Sequence, residues 1–142
     1  MENATLEKIT SATDEYIETT RRLIANRKFG EGIFGFNDTA KNDPCHINYF
    51  NFIEKTINEA SESGLSSENA EEIAEFLLKA HAETNCNDLA AWMLIVIQKL
   101  ALPLIPLLSK AKKDDLLAWY CSYVPRLQRL PIQNDIVKAL KK

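Results

Sequence analysis

Residues 43–81 read DPCHINYFNFIEKTINEASESGLSSENAEEIAEFLLKAH, and this stretch decides the fold. Asp43-Pro44 is a helix start: the carboxylate caps orphan backbone N–H groups, and proline fits the first helical position because its missing donor is not needed there. Phe50, Ile53, Ile57 and Ala60 then step by three or four, which lays one apolar seam along a helix that stops at Gly64. Ser66 or Ser67 caps the next helix. Glu68, Glu71 and Glu72 stand near its positive end, and its seam is Ala70, Ala74, Leu77 and His81, widened by Ile73 and Leu78. The turn between them is short, so the two helices are expected to pack antiparallel.

That pairing has a chemical consequence. His46 begins the first seam and His81 ends the second. Both lie about 21 Å or more from the shared turn at about 1.5 Å per residue. The two rings are expected at one end of the bundle, within about 10 Å of each other, the spacing of packed helix axes. Cys45 adjoins one histidine and Cys86 follows the other. Two Cys and two His have the composition of a zinc site, so His46, His81, Cys45 and Cys86 are the candidate metal ligands. Adjacent residues diverge by about 100° on a helix, which strains any set containing both Cys45 and His46. A nucleophilic pair such as Cys45 with His81 would need a stabilised thiolate and a third, orienting group; only Asp43 is at hand, and it is engaged in capping. The competing reading makes both histidines hydrogen-bonded packing residues and both cysteines small core hydrophobes.

Upstream, Leu6, Ile9, Thr13, Tyr16, Thr20 and Leu23 trace a helical stripe over about residues 4–27, with Glu7, Asp14, Glu15 and Glu18 outward. Residues 28–43 break it. Gly30, Gly32 and Gly35 alternate with Phe29, Ile33, Phe34 and Phe36. The string Gly30–Gly35 has the spacing G-x-G-x-x-G, but no strand precedes it and no helix opens from it, so it lacks a dinucleotide-binding context. The apolar residues of this loop are expected to fold over one end of the bundle, with Phe34, Phe36 and Asp43 as candidate interaction or pocket residues.

Downstream, Asn87 or Asp88 caps a helix that is apolar almost all round from Leu89 to Leu102, which marks it as the centre of the core. A carboxylate at Ile95 or Val96 is therefore expected to abolish folding. A short helix from Leu104 to Ala111, another opening at Asp114 and a last one from Ile132 to Leu140 complete a proline-punctuated C-terminal part. Gln98, Lys99, Pro103 and Pro106 interrupt the apolar segment, and its unbroken run of nine residues falls well short of the roughly 20 that a membrane span needs.

Composition sets the remaining bounds. The 142 residues carry 46% hydrophobic and 26% charged side chains, the balance of a globular domain. Net charge is −3, but residues 1–75 hold 7 basic and 15 acidic side chains, and residues 76–142 hold 10 and 5. The basic residues are scattered along helices rather than gathered in a stripe, which argues against nucleic acid as a partner. Three widely spaced cysteines are no disulfide framework, and the acidic start Met1-Glu2-Asn3 has no apolar leader, so a reducing, cytoplasmic setting is expected.

These observations predict one all-α domain over 1–142, a bundle of five to seven helices with a long Gly/Phe-containing loop after the first. The favoured function is a small acidic binding or regulatory module, acting through a protein partner or a homodimer and without a cofactor. The alternative is a metal- or small-ligand-binding protein using His46 and His81.

Overall fold

A computed structural model describes residues 3–26, 40–127 and 133–142, with backbone alone for 124–127. The described residues form a single-domain, all-α bundle with no strand: α1 (Ala4–Ala25), α2 (Cys45–Ser63), α3 (Ser67–Glu83), α4 (Asp88–Val96), α5 (Lys110–Leu127) and α6 (Asn134–Lys141). Two 3-10 segments, Ile97–Ala101 and Ile105–Leu107, join α4 to α5. The loop residues Phe29, Ile33, Phe34 and Phe36 lie outside the described residues.

Polar side chains at the helix starts satisfy orphan donors as the sequence predicts. Asp43 Oδ1 accepts from the Cys45 N–H, Ser66 Oγ from Asn69 and Asn87 Oδ1 from Ala90. Gly64 ends α2 in the left-handed region at φ +87°, where a β-carbon is strained. Asn3 Oδ1 likewise caps α1 at the Leu6 N–H, and two of the caps also tie helices together: Asn3 Nδ2 donates to the Asn69 carbonyl, and Asn87 Nδ2 donates to Thr20 Oγ1.

The closest helix pair is α1 with α2, not α2 with α3. Thr13 bonds Tyr49 and Tyr16 bonds His46, so residue numbers fall along α2 as they rise along α1 and the two run antiparallel. The expected hairpin about Gly64 is thus replaced by a pairing across the long loop. Polar residues in the α1 stripe select the partner: the buried Tyr16 hydroxyl finds its acceptor on α2, and buried Thr13 accepts the Tyr49 hydroxyl from α2. Helix α3 packs instead on α4 and the first 3-10 segment, and α5 on α6. Glu75 joins α3 to α5 by accepting from Lys112 Nζ, while Lys79 stands 5.2 Å over the Trp119 ring.

The α4 segment also departs from expectation. Leu89, Ala90, Met93, Leu94 and Ile97 are buried, but Trp92 and Val96 are 43% and 39% exposed and Ile95 is half-buried. Regular α-helix ends at Val96, six residues before Leu102, and the chain tightens to 3-10 geometry through Ala101. Gln98 sits inside this tight turn, 2% exposed; its amide nitrogen donates to the Leu78 carbonyl and its oxygen accepts from Gln133. Periodicity could not orient a helix whose residues are nearly all apolar, so Val96 is a surface position and the true core anchors are Leu94 and Ile97.

Candidate functional site

The first turns of α2 form a wall between two surface grooves, and His46 is its hinge. The ring is 4% exposed. Its Nε2 lies 2.7 Å from the Ala40 carbonyl and its Nδ1 lies 2.6 Å from the Tyr16 hydroxyl. A carbonyl oxygen only accepts, so Nε2 carries the proton. In the neutral ring Nδ1 is then the acceptor and the Tyr16 O–H the donor. The same reasoning fixes the neighbouring pair. Thr13 Oγ1 donates to the Ile9 carbonyl at 2.7 Å, so it accepts from the Tyr49 hydroxyl at 2.8 Å. Tyr16 and Tyr49 stack parallel, ring centroids 4.3 Å apart, and the His46 ring meets Tyr16 edge-on.

Burial pushes the Tyr49 phenol up to about 12 and raises Tyr16 further in the same direction, helped there by the nearby Cys45 and Tyr49. Burial, then the Asp43 carboxylate that accepts from the thiol, pushes Cys45 up to about 11. Cys86 is also raised, by burial first and then by Asp88. Both shifts favour the protonated thiol, so the surroundings of neither cysteine activate it as a nucleophile.

The sequence-predicted site residues separate accordingly. His46 spends both nitrogens within the protein. His81, near the end of α3, is half-buried, and its Nδ1 is buried without a partner among the described residues. Cys86 lies in the turn before α4. No three or more His, Cys, Asp or Glu side chains come together as a metal set among the described residues, so His46, His81, Cys45 and Cys86 do not assemble into a zinc tetrad. Asp43 caps α2 and holds the Cys45 thiol. Phe34 and Phe36 lie outside the described residues.

Two grooves flank the wall. On the His46 side, a groove of about 410 Å³ lies between α2 and α4, lined by Ile47, Phe50, Trp92, Met93 and Val96 with Lys41 and Asp43 on its rim. A second hollow of about 470 Å³ shares Trp92 and Lys41 with it and adds Ile24 and Leu89. Ile47 is 61% exposed. On the Tyr16 side, a crease of about 320 Å³ lies between α1 and α2. The seam reading missed Tyr16 and Trp92 as site residues. A tyrosine and threonines inside the α1 stripe were a signal for buried pairing; nothing in the α4 sequence marked Trp92 as outward.

Among the described residues no helix is long and apolar enough to cross a membrane. No protein-family model, curated protein sequence or solved structure matches this chain.

Proposed function

We propose that this chain is a non-catalytic protein-binding module that self-associates through the groove between α2 and α4. The observation that carries the reading is the exposure of Ile47, Trp92 and Val96 on adjoining faces of two helices, with Phe50 and Met93 beneath them. Large apolar side chains exposed together mark interaction surfaces, and tryptophan is enriched among the residues that dominate binding energy. Lys41 and Asp43 give the rim balanced charge, which selects neither a strongly basic nor a strongly acidic partner and suits a two-fold pairing of like surfaces. The wall behind the groove has its polar hydrogens committed internally, so the surface offers shape and apolar contact rather than chemistry. Three free cysteines fit a reducing compartment, and the cytoplasm is the setting this reading takes.

Sedimentation equilibrium on the full chain tests it. The expected result is a concentration-dependent dimer that Trp92→Glu or Val96→Lys returns to monomer with the helical circular-dichroism signal intact. A monomer at every concentration, or a dimer indifferent to both substitutions, would overturn the reading.

A further inference from the structure

The crease on the other side of the wall is a separate place with a different chemistry. Ala12, Glu15, Tyr16 and Thr19 line it from α1; Cys45, Asn48, Tyr49 and Phe52 line it from α2. Its volume, about 320 Å³, is at the lower end for small-molecule sites. With Tyr16 opposite His46 and Thr13 opposite Tyr49, the helix register sets Glu15 within one residue of Asn48, about 1.5 Å along the axis.

The polar groups here are unevenly committed. The Tyr16 hydroxyl is donated to His46, the Tyr49 hydroxyl to Thr13, and the Thr19 hydroxyl to the Glu15 backbone carbonyl. The Cys45 thiol is given to Asp43. What remains is the Glu15 carboxylate and the Asn48 side-chain amide, neither of which bonds or pairs with another described residue. The uncommitted side chains therefore offer two carboxylate oxygens and one amide oxygen as acceptors, and only the two N–H groups of the Asn48 amide as donors. Beside them stand stacked tyrosines and Phe52, which is 44% exposed. Acceptors next to aromatic surface select a hydrogen-bond donor that carries positive charge and an apolar body.

We propose that the crease between α1 and α2 binds a small primary ammonium on an apolar stem, with Glu15 and Asn48 taking the N–H groups and Phe52 covering the stem. An anion is disfavoured by Glu15, which lines the crease with no ion pair to another described residue, and by Asp14 beside it. A neutral alcohol brings one donor and no charge.

Amide-resolved NMR titration with 2-phenylethylammonium tests this, with 2-phenylethanol and 3-phenylpropanoate as neutral and anionic matches. The expected result is saturable shifts at Glu15, Asn48 and Phe52 with the ammonium alone. Glu15→Gln, at an exposed position that leaves the rest of the spectrum in place, should weaken binding about threefold to tenfold, between an exposed ion pair and a charge-assisted hydrogen bond. Absence of saturable shifts, shifts centred outside the crease, equal binding of the alcohol, or an unchanged affinity in Glu15→Gln would each overturn the proposal. Dimerisation through the opposite groove is a separate measurement, so either reading can fail alone.

Discussion

Tyr16→Phe removes one oxygen and keeps the ring. The stack on Tyr49 at 4.3 Å survives, so the substitution isolates the 2.6 Å bond to His46. His46 Nδ1 is then a buried acceptor with no donor, because Nε2 remains bound to the Ala40 carbonyl. An orphaned buried polar group costs about 1–3 kcal/mol. For a chain near 150 residues each kcal/mol lowers the melting temperature by roughly 2–4 °C, so a drop of about 2–12 °C is expected by calorimetry or thermal circular dichroism. Tyr49→Phe is the internal control. Thr13 keeps its own donation to the Ile9 carbonyl, so this variant loses a bond without orphaning a donor and should cost less, about 0.5–1.5 kcal/mol. A double-mutant cycle of Tyr16→Phe with His46→Leu should show coupling of about 0.5–3 kcal/mol. Imidazole nitrogen shifts should report the Nε2–H tautomer in the wild-type chain. A Tyr16→Phe cost within about 0.5 kcal/mol of zero, the range of an ordinary surface change, would refute the proton assignment. So would a larger cost for Tyr49→Phe.

Other outcomes follow from burial and from the shifted groups. Leu94→Ala should cost about 2–5 kcal/mol by denaturant unfolding, while Val96→Asp should fold with a loss near 1 kcal/mol or less, because Leu94 is fully buried and Val96 is not. Cys45 and Tyr49 are raised from 9.0 to about 11 and from 10.0 to about 12. Their contribution to stability is complete below the lower values and is lost as pH rises through the higher ones. Alkaline unfolding over that window should become shallower in Cys45→Ala and Tyr49→Phe, as followed by fluorescence. Glu75 is held below the usual carboxylate range by its bond from Lys112 first and Lys79 after it. Its contribution is present above 4.5 and lost as acid protonates the folded form, so Glu75→Gln should flatten the stability–pH slope below that value. Cysteine alkylation at mildly alkaline pH should modify exposed Cys121 before Cys45 or Cys86.

The helices were legible because three independent signals agreed at most boundaries. Asp43, Ser66 and Asn87 cap where an acceptor side chain precedes an apolar period, and Gly64 stops α2 where the left-handed conformation is required. Pairing was less legible. A short connection favours neighbours, but seam composition outweighed it. The α1 stripe carries Tyr16, whose buried hydroxyl donates to His46 on α2, and Thr13, whose oxygen accepts the buried Tyr49 hydroxyl of α2, whereas the largely apolar stripe of α3 accepts the apolar face of α4.

The same distinction explains the candidate site. His46 and His81 look alike in the sequence: each continues an apolar seam at a helix end. They differ in what their nitrogens meet, which depends on the Ala40 carbonyl and the Tyr16 hydroxyl, residues separated from His46 by 6 and 30 positions. No spacing rule within α2 or α3 contains that information. Once the ring is held from both sides, its rotamer, the tilt of Tyr16 and the stack of Tyr49 are fixed together. The wall they make keeps the apolar groove toward Trp92 apart from the acceptor-lined crease at Glu15. Two surfaces of opposite character can thus share the first turns of one helix, because the polar atoms between them are spent on each other.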